Sequence, residues 1–150
     1  MRTVIQRVTS CTLHINGQEY SRIGYGLLLL LSIEESDTPE DLEWLCNKVT
    51  GLRVFDDSQG VMDLDIRDID GDIMIVSQFT LHASTRKGNR PSYSKAARPD
   101  FAKPVYESFI TTVESILGHS VATGVFGAHM EISLVNDGPV TLFLDSKNRE

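Results

Sequence analysis

The sequence predicts a mixed α/β fold: layered mixed β-sheets with two amphipathic helices. Three observations carry this expectation. Two strongly apolar runs, Leu27–Ile33 and Ile73–Val76, read as strands buried on both faces. Two stretches, near 38–51 and 101–117, set apolar residues at helical spacing ahead of a glycine. The other apolar residues fall in short segments punctuated by Gly, Asn, Asp and Pro, the pattern of strands and turns rather than of a helical bundle.

In chain order, Arg2–Thr9 alternates Val4, Gln6 and Val8 against Thr3, Ile5 and Arg7, a strand pattern. Cys11–Ile15 and Glu19–Ile23 pair through Asn16-Gly17, a strong hairpin signal. The apolar strand Leu27–Ile33 follows. Thr38 then serves as N-cap, Pro39 suits the first helical position, and Glu40 and Asp41 favour the positive end of the helix dipole. Leu42, Leu45, Cys46 and Val49 form one face of this helix, Trp44 lies off it, and Gly51 ends it. Leu52–Phe55 and Val61–Met62 flank an Asp57–Gly60 turn, and Asp72–Phe79 is the second buried strand. A helix is expected over Phe101–Leu117, with Val105, Phe109, Val113 and Ile116 on one face and Gly118 as its stop. Pro104 fits only a first turn, which allows the true start to be Pro104 itself. Val121–Ala122, Met130–Val135 and Val140–Leu144 complete the strands.

At 150 residues and 41% hydrophobic, the chain is expected to form a single globular domain over 1–150. The longest apolar run is too short to cross a bilayer, and no signal peptide is expected. Two cysteines, Cys11 and Cys46, make no disulfide framework, and neither they nor His14, His119 and His129 have metal-ligand spacing, so no metal and no cofactor are expected. A reduced, cytoplasmic protein follows from this.

The net charge of -7 argues against a protein that coats nucleic acid indiscriminately. The distribution is uneven, however. Six of the fourteen Lys and Arg (Arg86, Lys87, Arg90, Lys95, Arg98 and Lys103) fall within 86–103, against one acid, Asp100. Either this is a solvated loop, or it directs one anionic ligand to one face. Thr85–Ser92 has the composition of a phosphate-binding loop, with Gly88 opening the backbone, but lacks the spacing of a nucleoside-triphosphate loop. Phosphate-backbone contacts suit Arg86, Lys87 and Arg90 better.

Ser77-Gln78-Phe79-Thr80 stands at the exit of a buried strand. If the segment curves, the Phe79 and Thr80 amides converge as an oxyanion hole; if not, Ser77 and Thr80 simply cap a turn. In an extended strand Thr80 and His82 share a face, the one local pairing of hydroxyl with base. Asn136-Asp137-Gly138-Pro139-Val140-Thr141 reads either as an ordinary Asp-Gly hairpin turn or as a segment that presents main-chain atoms outward.

Taken together these segments resemble the D-aminoacyl-tRNA deacylase family. The matching pieces are Gln6-Arg7-Val8, Gly51-Leu52-Arg53 with Phe55, Ser77–Leu81, Thr85–Gly88 with Arg90–Ser92, Ala97–Pro99, Thr123-Gly124 with Phe126–Ala128 and Met130, and Asn136–Thr141. They span essentially the whole chain in order. His82 departs from the aromatic more usual there, and Asp63 from an Asn.

The resemblance implies hydrolysis of the ester joining a D-amino acid to the 3′ end of tRNA, by a homodimer with its sites at the subunit interface. It implies that Gly138 and Pro139, joined by a cis bond, enter the partner's pocket and present carbonyls to the substrate α-amino group. Arg7 steadies that loop. Ser77, Gln78, Phe79 and Thr80 form the catalytic wall, Met130 joins the substrate pocket, and Arg86, Lys87 and Arg90 hold tRNA. Two other readings remain open: a deacylase for another mischarged tRNA, which a trans Gly138–Pro139 bond would mark, and a non-catalytic nucleic-acid-binding module.

Overall fold

A computed structural model describes residues 1–150. Its organising element is β1 (Arg2–Ile15), a single strand where the sequence suggests two. Along one edge β1 pairs antiparallel first with β3 (Gly26–Ser32) and then with β2 (Gln18–Ile23), while β8 (Glu131–Asp145) follows its other edge throughout. Ser10, which separates the two expected strands, falls where pairing passes from β3 to β2. Asn16 and Gly17 both adopt positive φ, as a tight hairpin turn requires.

β3 pairs parallel with β6 (Asp72–Ser77), and β6 with the short β7 (Ala122–Thr123), so the sheet runs β2-β1-β3-β6-β7 with β8 against β1. Parallel pairing demands crossovers that cover a face. Here α1 (Pro39–Gly51) lies within the β3–β6 crossover and α2 (Pro99–Leu117) within the β6–β7 crossover. The continuous apolar runs follow from this layering. Leu27, Leu29, Leu31, Ile73 and Ile75 meet the helices, whereas Leu28, Met74 and Val76 join Val8, Cys11, Leu13 and Ile23 on the opposite face.

Thr38 and Asp41 close a reciprocal capping box on α1. α2 corrects its expected start: it begins at Pro99 rather than Phe101 or Pro104, and Pro104 lies inside it. Proline there forfeits only one early hydrogen bond, and the apolar face outweighs that loss. The buried stripe is Ala102, Tyr106, Phe109 and Val113, with Val105 and Ile116 at its margins. Gly118 ends the helix in the left-handed conformation, its amide donating to the Glu114 carbonyl at 2.8 Å.

β4 (Phe55–Asp56) and β5 (Met62–Leu64) form a separate ribbon around the 57–60 turn. Asp63, where the family more often has Asn, carries an ion pair with Arg53 there. The largest correction concerns 131–144. These residues are not two strands joined by a hairpin. Both segments pair with the same strand in the same direction, and the Gly-Pro pair bulges out between them. No helix is long and apolar enough to cross a membrane.

Close packing of the parallel pair makes one glycine indispensable. A Cβ on Gly26 would lie 1.9 Å from the Asp72 carbonyl oxygen, a backbone atom that cannot step aside. Gly26→Ala is expected to destabilise the fold by about 2 kcal/mol or more, read as a lowered denaturation midpoint.

Candidate active site

The site begins where β6 ends. Gln78 donates its amide to the Leu31 carbonyl at 2.7 Å, one step beyond the strand ladder. The chain then leaves extended geometry, and Phe79–His82 form a single 3-10 turn. The segment therefore curves. A helical turn leaves its first amides without internal partners, and here no acceptor in the chain faces the Phe79 or Thr80 N–H. The Gln78 side chain does not cap them; its Nε2 donates instead to the Thr80 hydroxyl. The Thr80 hydroxyl accepts that bond, and no basic side chain lies within hydrogen-bond reach of it, His82 being turned to Ser32, so Thr80 Oγ1 is not arranged as an activated nucleophile.

The 3-10 turn also separates Thr80 from His82. The His82 ring is buried, with Nδ1 2.6 Å from Ser32 Oγ and Nε2 without a partner. Burial, and then the neighbouring Arg2 charge, hold its pKa below the usual histidine value. The pairing of Thr80 with His82 drawn from an extended strand is thus corrected: the ring turns inward.

Beside this turn opens a mainly apolar cavity of about 520 Å³. Ser77, Gln78 and Phe79 line one side and Phe126, Ala128 and Met130 another. Phe79 and Tyr93, both exposed, meet edge to face at its mouth, with ring centroids 5.2 Å apart. Met130 fits against Gly124, where an added Cβ would lie 2.4 Å from its sulfur. Three of the four expected catalytic positions and Met130 share the cavity wall; Thr80 stands on the adjoining turn.

Gly138 and Pro139 do not line that cavity in their own chain. Their peptide bond is cis, and both residues are exposed. The base of the bulge is clamped from β1. The Gln6 side chain donates to Asn136 Oδ1 and accepts from Thr141 Oγ1 at 2.7 Å, bridging the two ends of the bulge. Arg7, 6% exposed, uses Nε on the Asp137 carbonyl at 3.1 Å and on its carboxylate at 2.9 Å. Its Nη1 donates to the Val54 carbonyl at 2.6 Å.

Arg86, Lys87 and Arg90 stand on an exposed loop closed by a Ser84–Ser92 bridge, with Gly88 at positive φ. None of the three forms an ion pair, which leaves them available to an anion. Sequence reasoning assigned no role to Gln6, Asn136, Asp137, Thr141 or Ser32. The first four sit in the family motifs, and that adjacency was their only signal; Ser32 gave none beyond being the polar residue in an apolar run.

The family model described as D-Tyr-tRNA(Tyr) deacylase matches residues 4–145. The chain belongs to the D-aminoacyl-tRNA deacylase family. Members named D-aminoacyl-tRNA deacylase include those of Parabacteroides distasonis, 57% identical, and Flavobacterium johnsoniae, 54% identical; each matches over 100% of both chains. Among solved structures, the c-Myc DNA Unwinding Element Binding Protein is 36% identical, covers 97% of this chain and 98% of its own, and superposes with a TM-score of 0.91. A probable eukaryotic D-amino acid tRNA deacylase, at 18% identity, shares the fold with a TM-score of 0.82 over 95% of this chain and 97% of its own.

The Gly124–Met130 contact gives this deacylase-family cavity a test. Gly124→Ala displaces the flexible Met130 side chain and presses on the buried Leu13 Cδ1 at 3.2 Å, so the protein is expected to fold with a modestly lowered melting temperature. The displaced side chain is expected to lower kcat/KM for a D-aminoacyl-tRNA by about 10- to 100-fold, measured by loss of the labelled ester.

Proposed function

We propose that the protein hydrolyses the ester of D-aminoacyl-tRNA, releasing the free D-amino acid and tRNA, and acts in the cytoplasm as a homodimer. The observation that carries this reading is the clamped bulge: Gln6 and Arg7 hold Gly138 and Pro139 outward, exposed and away from the cavity of their own chain. A rigid loop so held reaches a substrate only in a second copy. The unpaired edge of β8, with Leu134, Val135 and Phe143 exposed, supports such an association.

In the assembled site the Gly138 and Pro139 carbonyls accept hydrogen bonds from the substrate α-ammonium. A main-chain wall close to Cα leaves no room for an L side chain, whereas an apolar pocket alone discriminates similar shapes weakly. The wall does not grip the D side chain, so many D-amino acids are accepted, and glycine, lacking a side chain, is cleaved slowly. Phe79 and Thr80 donate their free amides to the scissile carbonyl as it becomes an oxyanion. Water adds to that carbonyl, the ester C–O bond breaks, and the 3′-oxygen leaves as a hydroxyl, its proton supplied from the attacking water. The vicinal 2′-hydroxyl of the ribose stands beside the reacting centre, so orientation does much of what a side-chain base would otherwise do. Arg86, Lys87 and Arg90 contact tRNA phosphates.

Incubation with matched D- and L-aminoacyl-tRNA tests the reading directly. The D-ester is expected to disappear while the L-ester persists; equal survival of both would leave a binding module and refute the hydrolase. Because the Thr80 amide survives a side-chain change, Thr80→Ala is expected to keep deacylation within about tenfold of wild type. Loss of a true nucleophile costs on the order of 10⁴-fold or more, and that result in a folded, substrate-binding Thr80→Ala would return the hydroxyl to the mechanism.

A further inference from the structure

One buried polar pair lies behind the cavity wall, outside the motifs that line it. Ser32, the last residue of β3, is 1% exposed, as is His82. The Ser32 hydroxyl lies 2.6 Å from His82 Nδ1 and 3.3 Å from the Phe79 carbonyl oxygen. A hydroxyl has a single proton to give. When it donates to Phe79, it must receive from His82, which places the ring proton on Nδ1. Nε2 is then a bare lone pair, and no donor faces it. The opposite tautomer would bury an N–H without an acceptor and strip the Phe79 carbonyl of its Ser32 partner. Orphaned buried N–H groups are the rarer defect, so the chain runs from the ring to the hydroxyl to the carbonyl.

We propose that Ser32 and His82 are positioning residues for deacylation, holding the Phe79–Thr80 peptide plane so that the Thr80 N–H faces the scissile carbonyl. The inference rests on the oxyanion role given above to that amide. The Phe79 carbonyl and the Thr80 N–H belong to one planar unit and point in opposite directions. Fixing the oxygen from behind therefore aims the hydrogen in front. Hydrogen bonding to the carbonyl also polarises the amide and strengthens its donation. The geometry suits this use: Ser32 borders the cavity, yet its hydroxyl bonds away from any substrate, into the base of the turn. An apolar residue at 82 would remove a buried nitrogen that has no partner in the chain, and with it the 2.6 Å contact to Ser32 that holds the hydroxyl toward the Phe79 carbonyl.

The test is steady-state deacylation of a D-aminoacyl-tRNA by wild type, Ser32→Ala, His82→Leu, the double variant and His82→Asn, each checked for folding by circular dichroism. Ser32→Ala and His82→Leu should each lower kcat by about tenfold or more with KM unchanged, short of the 10²- to 10³-fold that follows outright loss of an oxyanion donor. The double variant should be no slower than the worse single, because both break one chain. His82→Asn keeps an N–H near the Nδ1 position and should recover most of kcat, which a merely structural role would not require. Wild-type kcat in Ser32→Ala, multiplicative losses in the double variant, or failure of Asn to rescue would each overturn the proposal. Should His82→Leu not fold, Ser32→Ala, which removes a single oxygen, still decides. A wild-type protein that leaves the D-ester intact sinks the deacylase reading itself; an active wild type with an equally active Ser32→Ala sinks only this inference.

Discussion

The structure depends on a mismatch along β1. Between Gln6 and Val8 that strand offers one residue, Arg7, where β8 supplies four, Asp137–Val140. Pairing resumes on both sides, so the excess backbone is forced out of the ladder. The residues that define the gap also fasten what it extrudes: Gln6 ties the two ends together and Arg7 holds the Asp137 carbonyl. An unanchored loop of this length would sample many conformations. Here two long-range side-chain clamps, set on the most fully paired strand, give it one.

Burial makes Arg7 a demanding clamp. A guanidinium with so little water must find acceptors on every side, and it finds them in the Asp137 carboxylate and carbonyl and in the carbonyl of Val54. Val54 lies between α1 and β4, so the cation joins the bulge to the segment that leaves the helical layer. Charge follows the same economy elsewhere. The chain is acidic overall, yet the exposed loop at 85–91 keeps its cations unpaired. Such a charge distribution disfavours an anionic polymer over most of the surface and leaves this loop as the place where that repulsion is lifted.

Much of the fold was legible because local signals and packing agree. The Thr38 capping box, the Asn16-Gly17 turn and the two-sided apolar runs each state their own geometry. The errors arise where tertiary pairing overrides local pattern. Arg2–Thr9 and Cys11–Ile15 read as two strands until Ser10 pairs with Val135 of β8, Asp137-Gly138 looks like a hairpin until both flanks pair with β1, and Pro104 looks like a helix start until the Ala102–Val113 face is buried. The candidate site was half legible. Its backbone amides leave no mark in a sequence, and were visible only through the motif that carries them. His82 was visible but misplaced, because its direction depends on whether the chain beyond Ser77 stays extended, and it does not.

Recognition by main chain, as proposed for Gly138 and Pro139, would have a consequence for how the protein tolerates change. A wall of side chains is rewritten by any substitution in it, but a wall of carbonyls is the same for almost every residue that can adopt the backbone. The vulnerable positions then include Gly138, where an added Cβ would lie 2.6 Å from Asn136 Nδ2, and the supports behind it: Gln6, Arg7, Asn136 and Thr141. Selectivity of this kind does not drift one residue at a time with the lining of the pocket. On the proposed reading it would stay intact while the Gln6 and Arg7 contacts hold, and fail as a unit when they are lost.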